Sequence, residues 1–289
     1  MKQKNIRKGS IAKAFYRFRK NRIALICFFL IIFEIIIAIF APLLAPYPED
    51  AGGKAVHFSE QFLPPSRDHL CGTDEAGRDI LSRLIFGARI TFRLVVVVLT
   101  ISFFIGVPLG ICAGYFEGIV GQIIMRVTDV FLSIPALLAA MGISAVMKPT
   151  LENSMLAIGF VWWRSFCRLS YGETLSIKQE DFIEVSHSLG ASHLHIMFRE
   201  ILPNITSPLI IALTLDSGYA ILLGAALSFL GLGAHPPTPE WGIMVSSGRL
   251  YLPTYWWLSV FPGLVIFITV LSINLFGDGL RDFFAVEEE

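Results

Sequence analysis

Charged residues are scarce in this chain. Lys, Arg, Asp and Glu together make up 16% of its 289 residues, whereas a soluble domain usually carries about 25%. Hydrophobic residues amount to 54%, and the mean hydropathy is +0.66. A single globular core could not bury this much apolar surface, so the composition argues against an ordinary soluble protein and predicts an integral membrane protein.

The chain also lacks the residue patterns of several other protein classes. Its four cysteines lie far apart and form no C-x-x-C pair, which argues against a disulfide framework or a zinc site. No G-x-x-x-x-G-K-[ST] loop occurs, so we do not expect the chain itself to hydrolyse ATP. No Ser-His-Asp, Cys-His or paired-carboxylate arrangement can be placed at one membrane depth. We therefore expect no catalytic residue, no metal site and no cofactor.

Acidic residues are absent from the first 22 positions, which hold nine basic ones. An apolar run at 23–45 follows at once, and it suits a spanning helix of about 20 residues better than the shorter apolar region of a signal peptide. Basic residues beside a spanning helix are retained in the cytoplasm. We therefore predict a cytoplasmic basic arm at 1–22, a first transmembrane helix at 23–45, and no binding of nucleic acid.

Further apolar runs divide the rest of the chain. A polar stretch at 46–90, which ends in an amphipathic interfacial helix, is expected outside the cytoplasm. Residues 91–280 are expected to form a five-helix core, followed by a cytoplasmic tail at 281–289. The five predicted spans lie near 94–116, 121–147, 153–167, 205–232 and 256–276. The predicted fold class is therefore all-α, with six transmembrane helices and both ends in the cytoplasm.

Small and charged residues mark two places in these spans. Gly106, Pro108, Gly110 and Gly114 lie in the span at 94–116 and would permit close helix contacts or a kink. Arg126 and Asp129 lie three residues apart on one helical face, and we expect them to form a local ion pair.

Two carboxylates interrupt the apolar spans. Glu34 lies in the first span and Asp216 in the fifth, although a charge at mid-membrane costs about 2.5–3.5 kcal/mol even on lenient scales. Each is expected to face the bundle interior, water or a partner subunit. Asp216 and Ser217 are the candidate solute-pathway residues, because Gly218 shares their span; a structural hydrogen bond is the alternative interpretation of Asp216.

The long polar stretch that this topology places in the cytoplasm is residues 171–203, which read YGETLSIKQEDFIEVSHSLGASHLHIMFREILP. The pattern predicts a short helix at 180–189, a break at Gly190, and a second helix that ends before Pro203. An exposed helix between two spans can transmit force from a partner beneath the membrane. An ordinary amphipathic loop helix would show the same pattern, so the pattern alone does not decide the role.

This stretch resembles the cytoplasmic signature of the membrane subunits of ABC importers, which is Glu-Ala-Ala, three residues, Gly, nine residues, and Ile-x-Leu-Pro. Every interval is kept here. Val185 and Ser186 replace the two alanines, and Glu200 replaces the isoleucine. The positions that the resemblance assigns to coupling with an ATPase are Glu184, Val185, Ser186, Gly190, Leu202 and Pro203.

Other motifs are similar to one branch of that family, the second permease subunit of dipeptide, oligopeptide and nickel importers. They are HLCGTDEAGRDILSRLIFGAR, RVTDVFLSIP, LSFLGLG with PPTPEWG, and FPGL with NLFGDGLRD. Cys71 and the final AVEEE depart from the branch. The resemblance implies a type I ABC importer permease fold with a cytoplasmic coupling helix.

The resemblance also implies a function. The chain would be a multi-pass permease in a bacterial or archaeal cytoplasmic membrane, forming half of a pathway for dipeptides or oligopeptides. Besides membrane lipid, its partners would be a second permease in a heterodimer, two ATP-binding cassette ATPase subunits and an external solute-binding protein. Nickel or metal chelates are an alternative solute class. A secondary carrier or channel working alone is the alternative of another class, although no internal repeat is obvious.

Overall fold

The computed structural model describes residues 21–53 and 55–284. Most of the predicted arm at 1–22 and of the tail at 281–289 lies outside these residues. Within them the chain is helical, with one isolated β-bridge between Thr73 and Asp79. The main helices are α1 (Arg22–Ile39), α2 (Ile80–Phe116), α3 (Gly118–Ser133), α4 (Ala136–Val146), α5 (Leu151–Ile177), α6 (Asp181–Ser188), α7 (Thr206–Phe229), α8 (Trp241–Gly248) and α9 (Trp257–Phe284). Short helical turns occupy Ala41–Leu44, Pro48–Ala51, Phe58–Glu60, His193–His195, Ile196–Ile201, Leu202–Asn204 and Arg249–Tyr251.

Four described helices are long and apolar enough to cross a membrane, namely α1, α2, α7 and α9. The pair α3 and α4 meets the same criterion as a single span bent by 90°. Helix α5 does not meet it, because Glu152, Arg164, Arg168 and Glu173 interrupt its apolar surface. Length and composition therefore give four or five spans in the described residues, and the span predicted at 153–167 stays a prediction within α5.

Helix α2 joins two elements that the sequence analysis separated. An interfacial helix was expected before residue 91 and a distinct span from 94, but one helix runs without interruption from Ile80 to Phe116. Asp79 caps its start by accepting a hydrogen bond from the backbone N–H of Ser82 at 2.7 Å. No glycine or proline lies between residues 88 and 105 to break it. Its 37 residues extend about 55 Å, so part of α2 lies beyond an apolar layer of about 30 Å.

Glycines bring α2 against α5 in the most extensive helix pairing of the described chain. A Cβ atom on Gly106 would overlap the carbonyl oxygen of Trp163, and one on Gly110 would overlap that of Cys167. A Cβ atom on Gly114 would lie 2.8 Å from Thr174 Cβ. The close helix contact predicted for these glycines is therefore confirmed, and it places the two backbones in direct contact.

The bend between α3 and α4 is held by Arg164 of α5. Ile134 is extended, with ψ at 128°, because a residue before proline avoids the helical region. The carbonyl oxygens left free at the end of α3 accept hydrogen bonds from Nη1 of Arg164, at 2.6 Å to Phe131 and 3.2 Å to Ile134. Arg164 is 5% exposed, so its charge is placed against the partial negative charge of a helix end.

A polar cap, formed by the described residues of 46–79 and by the loop 235–240, packs on the first turns of α2. Its centre is Asp74, whose Oδ2 lies 2.8 Å from Nε of Arg78 and 3.4 Å from Nε of Arg83. Arg83 also donates to the carbonyl oxygen of Pro237 at 3.2 Å, which ties the two parts of the cap together. The three charged side chains are nearly fully buried. Removing Asp74 would leave two buried guanidinium groups without the carboxylate that they share, so the arrangement of the cap depends on this residue.

Another of the buried carboxylates in the cap, Glu240, caps the start of helix α8. It accepts a hydrogen bond from the backbone N–H of Ile243 at 2.9 Å and is 3% exposed. Burial raises the pKa of the Glu240 carboxyl, and the backbone N–H groups of Gly242 and Ile243 and the Ser228 side chain only partly oppose that shift.

We predict that alanine substitutions at two glycines will change the stability of the protein differently. Gly110→Ala must separate α2 from α5 and should lower the free energy of unfolding by about 1–3 kcal/mol. Gly172→Ala adds a Cβ atom to α5 where nothing lies within 4 Å, and should be neutral or stabilising by up to about 1 kcal/mol. Thermal unfolding of both variants in detergent measures the difference, and equal stabilities would contradict the proposed contact.

We also predict that Glu240→Gln will change how stability depends on pH. Because the folded state raises the pKa of Glu240 above its ordinary value of 4.5, wild-type stability should be lost as the pH rises above that value. The glutamine side chain keeps an oxygen that accepts the hydrogen bond from Ile243, but it does not ionise. The stability of the variant relative to wild type should therefore increase from pH 4.5 towards neutrality. Unfolding midpoints across this range test the prediction. The exposed control Glu49→Gln should keep the wild-type slope, and a Glu240→Gln variant with that same slope would contradict it.

Candidate coupling segment and solute pathway

The predicted short helix of the 171–203 stretch is present as α6, and it ends in a tight turn at Gly190. The backbone N–H of Gly190 donates to the carbonyl of His187 at 3.0 Å, and that of Ala191 donates to Ser186 at 3.1 Å. This pair of bonds is the Schellman arrangement, which requires a left-handed residue between them. Gly190 has a φ of +80°, so glycine is the residue best suited to the reversal predicted here.

The chain beyond Gly190 differs from the predicted second helix. In place of one regular helix it has three consecutive helical pieces: a turn at His193–His195, a π-helical turn at Ile196–Ile201 and an α-turn at Leu202–Asn204. The last of these contains Pro203. The prediction that the helical backbone stops before Pro203 is wrong, because the π-helical turn passes directly into the α-turn that contains this residue. Pro203 is tolerated there because it lies in the first turn of the α-helical piece.

The inner face of the segment is part of the main hydrophobic core. Ile183 of α6 is 5% exposed, and Ile196 and Ile201 are fully buried. They belong to the same buried cluster as Ile111 of α2 and Ile158 of α5. Helix α6 is therefore joined to α2 and α5 through close-packed buried side chains.

Polar contacts attach the segment to the end of α2. The hydroxyl of Tyr115 is hydrogen-bonded to Nδ1 of His193 at 2.8 Å. Nζ of Lys178 donates to the backbone carbonyl of Tyr115 at 2.8 Å and lies 2.7 Å from a carboxylate oxygen of Glu117. The segment is thus fixed at both sides of α6, before it by Lys178 and after it by His193.

The outer face of the segment exposes large apolar side chains, although its surroundings in sequence are polar. Their exposed fractions are 42% for Phe182, 55% for Val185, 83% for Leu189, 65% for Leu194 and 47% for Phe198. Several large apolar side chains exposed on one short segment are typical of a protein contact site. Of the residues that the sequence assigned to coupling, Glu184 and Val185 are exposed on α6, whereas Leu202 packs against the core.

The two predicted pathway residues face different surroundings. Ser217 donates to the carbonyl of Leu213 at 2.7 Å and lines an apolar groove of ≈ 560 Å³ between α1, α2, α7 and α9. Asp216 is half-buried and approaches the indole of Trp162 on α5 instead. The structure therefore does not bring the pair together on one surface.

The other intramembrane charges are paired differently from the local pattern. Glu34 accepts a hydrogen bond from Thr269 at 3.0 Å, which joins α1 to α9. Asp129 lies 3.3 Å from Arg168 of α5, so the ion pair predicted with Arg126 is replaced by one between helices. Long basic side chains reach across neighbouring helices, and spacing along one helix does not reveal that alternative.

Sequence reasoning missed three residues of these sites, namely Tyr115, Lys178 and Trp162. Their partners lie far away in the chain, so no local spacing identifies them. The available signal is weak: Tyr115 lies at the end of the apolar run at 94–116, where a polar group can meet a neighbouring segment.

Comparisons with known proteins bear on the family and the fold of this chain. The model of the family described as binding-protein-dependent transport system inner membrane component matches residues 106–285. The chain belongs to this family. A second model, the N-terminal TM domain of oligopeptide transport permease C, matches residues 11–65.

Known relatives of this family member are transport permeases. It is 41% identical over 253 residues to the probable D,D-dipeptide transport system permease protein DdpC of Escherichia coli (strain K12), covering 88% of this chain and 84% of that protein. It is 39% identical over 272 residues to the dipeptide transport system permease protein DppC of Alkalihalophilus pseudofirmus, with coverage of 93% and 88%. It is 41% identical over 266 residues to the glutathione transport system permease protein GsiD of Escherichia coli O6:K15:H31, with coverage of 92% and 87%. The prediction of a multi-pass membrane transport subunit is confirmed.

Solved structures show the same fold. The chain superposes on a subunit of the MetNI methionine ABC transporter in an inward-facing conformation with a TM-score of 0.58, covering 72% of this chain and 97% of the other. Because the identity is 20%, the match bears on the fold alone.

We predict that Ile183 is the anchor of the coupling segment. Ile183→Ala deletes buried methyl groups and should destabilise the docked segment by about 2–5 kcal/mol. Amide hydrogen exchange should then rise across residues 181–204 and stay unchanged in α9. Val185→Ala, on the exposed face of the same helix, is the matched control and should leave exchange unaltered; a similar rise in both variants would contradict the anchoring role.

Proposed function

We propose that this chain is the second permease subunit of an ATP-driven, binding-protein-dependent importer of dipeptides or oligopeptides, and that it forms half of the pathway. The peptide class rests on relatives that transport D,D-dipeptides, dipeptides and glutathione. The coupling role rests on one observation, an apolar outer face on a segment whose inner face lies in the transmembrane core.

In the proposed mechanism that segment transmits the motion of the ATPase subunits to the rest of the chain. Two ATPase subunits would contact the outer face around Glu184 to Gly190 and move it when they close on ATP. Because Ile183, Ile196 and Ile201 pack in the core, the movement reaches α2 and α5 directly. The half-pathway in this chain would then open outward, where a solute-binding protein delivers the peptide.

The proposed topology has six spans. Helix α5 supplies the fourth, α3 and α4 together supply the third, and both chain ends lie in the cytoplasm with the basic arm at 1–22. The polar cap at 46–79 and 235–240 then lies outside, beside the solute-binding protein. In this topology the second permease of the heterodimer would pack against the core formed by residues 91–280.

Two alternative functions predict a different solute or a different set of partners. A permease for nickel or metal chelates would assemble in the same way and differ only in solute. A carrier or channel working alone would have no ATPase partner.

Purification and reconstitution decide among these functions. We expect mild-detergent affinity purification from the native membrane to recover a second permease and ATPases with this chain, identified by mass spectrometry. The complex, with its binding protein, should take up labelled trialanine into proteoliposomes only with ATP. Repeated recovery of this chain alone, folded and without ATPase activity, would overturn the proposal, and ATP-driven uptake of nickel instead of trialanine would change the solute.

We predict that the turn at Gly190 is needed for coupling. Gly190→Pro cannot adopt a φ of +80° and removes the N–H bonded to His187, so it should uncouple ATP hydrolysis from uptake while the complex still assembles. Gly190→Asn is the matched control, since asparagine tolerates the left-handed region and keeps the N–H. Wild-type peptide-stimulated ATPase activity and uptake in Gly190→Pro would exclude this role for the turn.

A further inference from the structure

Asp216 is a carboxylate without a charged partner near the middle of a membrane-spanning helix. It lies near the centre of the 24-residue helix α7. In the described part of the chain it forms no ion pair, whereas Asp129 is paired with Arg168 and Glu34 is hydrogen-bonded to Thr269. A carboxylate at this depth is costly and is retained where it meets a pathway or a partner.

Two aromatic rings lie beside this carboxylate. The indole of Trp162 faces Asp216, yet its buried N–H makes no hydrogen bond of normal geometry with any described group. The rings of Trp162 and Tyr219 are 5.7 Å apart and inclined by 31°. Tyr219 follows Asp216 by three residues, on the same side of α7. It is 56% exposed, so the cluster reaches the surface of the chain.

This combination of groups suits one kind of ligand. Aromatic faces attract cations, with Trp and Tyr among the best, and a nearby carboxylate adds a charge-assisted hydrogen bond. A primary ammonium group uses both, because its three N–H donors can meet the carboxylate while its charge lies over a ring. An anion or a wholly apolar group would leave Asp216 uncompensated.

We propose that Asp216, Trp162 and Tyr219 form a transient site for the α-ammonium group of the peptide as it crosses this half of the pathway. The inference rests on the proposed function, and it names the chemical group of the peptide that this chain contacts. Every peptide with a free amino terminus carries this group, so the site accepts peptides without selecting side chains. Its open position suits passage, since a conducting site must release what it binds.

The site is tested by measuring the uptake of labelled trialanine. The reconstituted complex contains this chain, its partner subunits and the binding protein. Asp216→Asn keeps the shape and removes the charge, and it should lower the uptake rate about tenfold, equivalent to about 1.4 kcal/mol. Asp216→Glu should restore part of the rate. Tyr219→Leu, at the exposed edge, should also lower it. Thr214→Val on the same helix is the matched control and should transport as wild type, because its hydroxyl bonds only to the carbonyl of Ile210.

The outcomes separate this inference from the proposed function. A wild-type complex that takes up no trialanine would refute the function. Wild-type uptake with an unchanged rate in Asp216→Asn would overturn the ammonium site and leave the function standing. Loss of the second permease from purified Asp216→Asn complexes would also overturn it, since Asp216 would then be the partner of a basic residue on that subunit.

Discussion

The close packing of α2 against α5 is the contact on which the other parts of the described chain depend. With glycines at the interface, the two backbones touch, and side chains from both helices enter one core with the coupling segment. The same α5 supplies Arg164 to the bend between α3 and α4, and Trp162 to the cluster at Asp216. Separating the two helices would therefore disturb the bend, the coupling segment and the intramembrane carboxylate together.

The coupling segment combines a fixed inner face with a free outer one. Buried isoleucines and the contacts of Tyr115 and Lys178 attach it to the transmembrane helices, whereas Val185, Leu189 and neighbouring apolar residues remain exposed. A loosely attached helix would absorb the motion of a partner, but a packed one passes it on. The glycine and the Leu-Pro pair of the signature have separate structural parts in this chain. Gly190 forms the turn, and Leu202 and Pro203 continue the chain towards α7.

Periodicity and motif spacing predicted the membrane class, the positions of most apolar helices, the short helix before Gly190 and the close contacts of Gly106 and Gly110. These features depend on residues near one another in sequence. The continuous helix α2, the passage of the chain through Pro203 and the Asp129–Arg168 pair could not be obtained in that way. Each depends on which distant helix lies alongside, and side chains such as Arg164 or Trp162 acquire their roles only from that packing.

The central claim is that the coupling segment and the core of this chain move as one body. It is tested most directly by pulsed electron resonance distances between spin labels at Leu189 and Ile119, both strongly exposed, in the assembled transporter. We predict that the distance between the two labels in this chain stays the same with and without ATP, while the distance from Leu189 to a label on the second permease changes. A large ATP-dependent change within this chain would show that the segment moves independently of the core and would contradict the account.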